Sequence, residues 1–105
     1  MKNRRSIPSR LYPLIEAFLL GGWTINRWWA ADGPEHRTGF AIDATPRIHI
    51  QSVLSGTHLA QLPDAMRFVD RMASDFTTTR FDVEHDHVHA FMGVSNIDHK
   101  RIRII

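Results

Sequence analysis

Two short stretches hold most of the residues in this chain that could do chemistry. The first, His36-Arg37-Thr38-Gly39-Phe40-Ala41-Ile42-Asp43, reads H-x-x-G-x-A-x-D, and the second, Asp86-His87-Val88-His89, reads D-H-x-H. Imidazole nitrogen and carboxylate oxygen are the donors of a nitrogen/oxygen metal site, and an acid/base group stands close by. The chain has no cysteine. A thiolate site, a disulfide and a cysteine nucleophile are therefore excluded, and any ion must be held by His and carboxylate.

In an extended Thr38–Ala44 segment, alternation sends Phe40 and Ile42 toward a core and Gly39, Ala41 and Asp43 to the other face. His36, in the preceding loop, can then fold over that second face, where Gly39 and Ala41 leave room for an ion. In the second motif His87 and His89 share one face while Val88 points inward. His85 belongs to the same alternating row, so His85, His87 and His89 form a rival ligand set. Ordinary structure also accounts for each motif alone: Asp43 as a turn residue before Thr45-Pro46, and the histidines as a polar strand edge that discourages aggregation. His49, His58 and His99 have no comparable partners.

Positioning these groups calls for a small mixed fold. The 105 residues, 43% hydrophobic and 23% charged, suit one domain with a single core. Residues 1–8 read as a basic flexible arm and 9–105 as the domain. Ser9 opens a helix to about Leu20, with Leu11, Leu14, Ile15 and Phe18 on one face, and Gly21-Gly22 ends it. Trp23–Trp29 reads as a strand, Asp32-Gly33-Pro34 as a turn and Thr38–Ala44 as a second strand. Arg47–Val53 reads as a further short strand. Leu62–Phe76 is a helix by the spacing of Leu62, Ala65, Met66, Val69, Ala73 and Phe76. Arg80–Val83, His87–Val94 and Arg101–Ile105 complete the strands. The expected class is α+β, a mostly antiparallel sheet with two principal helices.

Taken together, the motifs resemble the zinc peptidases that include D-Ala-D-Ala carboxypeptidases, phage L-alanyl-D-glutamate endopeptidases and the hedgehog signalling domain. The resemblance covers residues 36–43 and 86–89 and, more loosely, a helix between two strand regions. It implies a hedgehog-like catalytic domain with His36, Asp43 and His89 as zinc ligands. It makes Asp86, three before the last ligand, the base, and places His87 at the site without binding the ion. Arg27 is the candidate for the family's upstream substrate-binding arginine. Pro34 stands where the family often has Ser.

Three protein ligands leave a fourth position for a water whose pKa zinc lowers to about 7. Asp86 would take its proton, and His87 or Arg27 would stabilise the oxyanion. In an ideal strand Asp86 and His89 face opposite ways, so the strand must begin at or after His87 or carry a bulge. Glu84 is the alternative base. The implied substrate is a peptide bond in a peptidoglycan stem or cross-bridge. The enzyme would be made in the cytoplasm without a clear signal peptide and would act at the wall after release, like a phage lysin.

The net charge of +2 is unevenly spread. Lys2, Arg4, Arg5 and Arg10 crowd one end and Lys100, Arg101 and Arg103 the other, either as solvated termini or as a hold on anionic wall polymer. No segment suits a membrane span. Two other readings remain. Asp86–His89 also resembles the H-x-H strand of single-strand nicking nucleases, but Tyr12 is the sole tyrosine and lies far upstream. Residues 90–105 leave no room for the usual nucleophile helix, which disfavours nucleic acid as a partner. The second reading is a non-catalytic module of the same fold. Trp23, Trp28 and Trp29 serve either sheet packing or a substrate groove.

Overall fold

The computed structural model describes residues 6–29, 33–47, 56–93 and 101–105. A five-stranded sheet carries the molecule: β1 (Trp23–Arg27), β2 (Ala41–Pro46), β3 (Thr79–Val83), β4 (Val88–Met92) and β5 (Ile102–Ile104). Its order is β1-β2-β4-β3-β5. All neighbours are antiparallel except β3 and β5. Two helices, α1 (Tyr12–Leu20) and α3 (Pro63–Asp75), pack on it, and a single turn, α2 (Pro34–Arg37), precedes β2. The class is α+β.

Alternation along the strands sorts their side chains into two faces. Trp23, Ile42, Ala44, Phe81, Val83, Val88 and Ala90 are buried together with Leu11, Leu14 and Phe18 from the first helical segment and Ala65, Val69, Met72 and Ala73 from α3. Phe18 meets Trp23 edge-on at 5.3 Å between ring centres, and Phe68 stacks on Trp23 at 5.1 Å. Both long helices cover this face. The other face carries the polar residues of the same strands.

The helix at 12–20 is preceded by a 3₁₀ turn at Ser9–Leu11, and the cap positions fall on Pro8 and Leu11 rather than on Ser9. The expected strand at 38–44 is instead Ala41–Pro46, because α2 runs to Arg37 and a turn follows it. Gly39 adopts φ +77°, and a Cβ there would stand 3.2 Å from Pro8 and Arg10. Its role is this left-handed turn rather than space for an ion. The turn also redirects Phe40, which leaves the core and lies under the Arg10 guanidinium at 4.3 Å from the ring centre. Gly33, expected in a turn, is the N-cap of α2. The strand expected at 47–53 falls, except for Arg47, outside the described residues, as do residues 1–5 of the basic arm.

Candidate metal centre

The polar face is organised by strand register. Arg27 of β1 lies opposite Asp43 of β2, Asp43 opposite His89 of β4, His89 opposite Asp82 of β3, and Asp82 opposite Arg103 of β5. One row of alternating charge thus crosses all five strands, with His89 at its centre between two acids. Opposite charges on directly paired positions favour each other.

β2 and α2 bring the first motif into this row. Asp43 Oδ1 accepts from His89 Nδ1 at 2.9 Å and from His36 Nε2 at 3.1 Å. The two imidazole rings meet edge-on, 4.8 Å apart. His36 is buried, and the side chains of Asp43 and His89 are each only 13% exposed. The ligating atoms of His36, Asp43 and His89 all lie within 4.8 Å of one another. Ligands about 2.0–2.1 Å from a tetrahedral zinc are roughly 3.3 Å apart. Two of the separations are 2.9 and 3.1 Å and the third lies within 4.8 Å, a spacing that a small ion could span in place of the intervening protons. Two imidazoles and a carboxylate also suit zinc chemically. The structure thus brings together the three expected ligands, and this donor set fits the ion.

Burial alone would raise the Asp43 pKa, but hydrogen bonds from His36 and His89 outweigh it and hold the carboxyl far below its usual range. Burial likewise opposes a charge on His89, and the bonds to Asp43 and Glu35 overcome it, raising its pKa above the ordinary value. As the side chains stand, His89 donates from both nitrogens, the second to Glu35 Oε1 at 2.7 Å. His36 Nδ1 is buried without a hydrogen-bond partner.

A cleft of 480 Å³ opens beside these atoms, lined by Asn26, Arg27, His36, Asp43, Glu84, His87 and His89. Successive strand residues normally face opposite ways, yet Asn26 and Arg27 both reach this cleft. A β-bulge explains it: Ile25 pairs with Ala44 and Arg27 with Asp43, leaving Asn26 as the extra residue. Arg27 Nε stands 4.0 Å from Asp43 Oδ2.

The hairpin between β3 and β4 sets the far wall. β4 begins at Val88, after His87, so Glu84–His87 form the connecting loop. The Glu84 backbone N–H donates to His87 O at 2.9 Å, which places the two side chains across from one another. His87 Nε2 is 3.5 Å from Glu84 Oε2, while His87 Nδ1 donates to Asp86 Oδ1 at 2.8 Å. Asp86 is 65% exposed and does not line the cleft, whereas Glu84 does. The loop also takes His85 out of the alternating row: its ring packs edge-on against His58 at 5.6 Å, so the three-His set does not assemble. Tyr12 lies on α1, which covers the opposite sheet face, and is 56% exposed.

Sequence reasoning missed Glu35, Asn26, Arg80, Asp82 and Arg103. Asp82 takes paired hydrogen bonds from Arg103 at 2.7 and 3.0 Å and contacts of 2.8–3.1 Å from Arg80. Glu35, Asp82 and His89 also cluster closely enough to be considered for an ion. The Arg80 guanidinium already bonds to both acids there, making this a salt-bridge network. The period-two pattern of Arg80-Phe81-Asp82-Val83 was the available signal for it.

The chain matches no family model, no curated protein and no solved structure. Among the described residues, no helix is long and apolar enough to cross a membrane.

Proposed function

We propose that the chain is a zinc-dependent peptidase that cleaves a peptide bond in a peptidoglycan stem or cross-bridge. The observation that carries the reading is the convergence of His36 Nε2, Asp43 Oδ1 and His89 Nδ1 beside an open cleft. The peptide substrate and the hedgehog-like assignment rest on the resemblance of residues 36–43 and 86–89. In this reading the protein acts at the wall after release from the cytoplasm.

Zinc held by these residues supplies a Lewis acid for the scissile carbonyl and lowers the pKa of a water to about 7. Glu84, on the cleft wall, takes the proton of the attacking water and passes it to the leaving amine. His87 or Arg27, both on the cleft wall, stabilises the developing oxyanion. Asp86, bonded to His87 Nδ1, holds that ring in place. Arg27 and Asn26, presented together by the bulge, receive a substrate carbonyl or terminal carboxylate.

The test is release of new amino groups from purified peptidoglycan sacculi. Glu84→Gln is expected to retain zinc and lose about 10²–10⁴-fold in rate, with Asp86→Asn milder. The reverse order would return the base to Asp86. A zinc-loaded protein that releases nothing from any wall chemotype would contradict the peptidase reading.

A further inference from the structure

His89 has two ring nitrogens, and an ion at the centre described above requires one of them, Nδ1. What fixes the ring so that Nδ1 faces Asp43 and His36 is the contact on its far side. Glu35 Oε1 lies 2.7 Å from His89 Nε2. The same oxygen accepts from Arg80 Nη2 at 2.6 Å. Arg80 is itself clamped by Asp82, which Arg103 holds from β5. Glu35 also precedes His36 on α2. One short turn therefore supplies both an expected ligand and the group that orients another.

We infer that Glu35 is a positioning residue, whose carboxylate accepts the Nε2 proton of His89 and thereby commits Nδ1 to the metal. The inference rests on the metal reading of the site and adds to it a carboxylate behind the ligand that no motif marks. A carboxylate accepting the distal N–H of a ligating His fixes its tautomer and ring orientation and raises its basicity. Arg80, donating to the same Glu35 oxygen, anchors that carboxylate on the side of the ring away from Asp43 and His36. The chain Arg103–Asp82–Arg80–Glu35–His89 ties β5, β3, α2 and β4 to one imidazole.

The experiment uses the full chain, stripped with a chelator and titrated with zinc against a competing chromogenic chelator. Glu35→Ala, Glu35→Asp and Glu35→Gln are compared with the wild type. Glu35→Ala is expected to bind zinc 10–100-fold more weakly. Glu35→Asp falls short by one methylene and should be weakened too. Glu35→Gln keeps an acceptor for Nε2–H and should recover most of the loss. The Asp and Gln variants decide the matter should the Ala variant fail to fold. Long-range ¹H–¹⁵N correlation of the imidazoles supplies a signature that a merely structural role would not move. The zinc-loaded wild type and Glu35→Gln should show Nε2–H and a metal-shifted Nδ1 for His89, a pattern lost in Glu35→Asp. Wild-type zinc affinity and ring signals in Glu35→Asp, even with a lowered melting temperature, would overturn the inference and leave the metal centre standing. No zinc on the wild type would overturn both.

Discussion

A single oxygen, Asp43 Oδ1, receives both His36 and His89, so the centre converges on one atom rather than on a loose cluster. That has a consequence for pH. His89, with its pKa raised above 6.5 by its two carboxylate partners despite burial, carries a proton on Nδ1 that an ion must displace. Zinc affinity should therefore fall as the pH drops through a value above 6.5, with proton uptake on metal removal measurable in weak buffer. An affinity flat from pH 8 to pH 6 would contradict this. At this scale the ligand types were readable because H-x-x-G-x-A-x-D and D-H-x-H are local patterns. Glu35 was not, because it meets His89 from 54 positions away and no local spacing records that contact. Gly39 was read for its small size, whereas its positive φ is what the turn requires. Gly39→Ala should cost about 1–2 kcal/mol of stability by denaturant unfolding, with zinc binding retained.

Among the elements, the strands do the positioning through register. Asp82 at the centre of β3 is the joint of the row. Burial alone would raise its pKa, but paired hydrogen bonds from Arg103 and Arg80 lower it below the ordinary value. A carboxyl whose folded pKa is depressed contributes stability above its unfolded pKa, near 3.8, and loses it as the pH falls through the folded value. Asp82→Asn should therefore destabilise the protein by about 1.5–3 kcal/mol at neutral pH and by progressively less below pH 4. A deficit that stays constant from pH 7 to pH 3 would contradict the ion-pair account. The long helices were legible from apolar spacing, and strands were read at the positions of β3, β4 and β5. The single turn α2 was missed because four residues carry no period, and Gly33-Pro34 reads equally as a turn. The bulge at Asn26 was not legible either, since it exists only in the pairing of β1 with β2.

Across the whole molecule, the sheet separates an apolar face that holds the fold from a polar face that holds the cleft. Phe18, fully buried between Trp23, Phe68 and Phe81, belongs to the first. Phe18→Ala should cost about 3–5 kcal/mol, read as a lowered denaturation midpoint, and leave zinc stoichiometry unchanged under conditions where the variant is folded. The charge distribution also takes a different meaning in three dimensions. Arg103 binds Asp82, and Arg101 donates to the carbonyls of Phe76 and Thr79, so these two cations serve the fold. Their structural use could not be seen in a run of like charges, because their partners lie on other strands and at the end of α3. The measurement that bears most directly on the account is zinc content per chain, taken on protein purified without a metal-affinity tag and on His36→Ala. About one equivalent is expected in the wild type, and its loss in the variant. No bound zinc at neutral pH after the metal is offered, or equal zinc in both proteins, would contradict it.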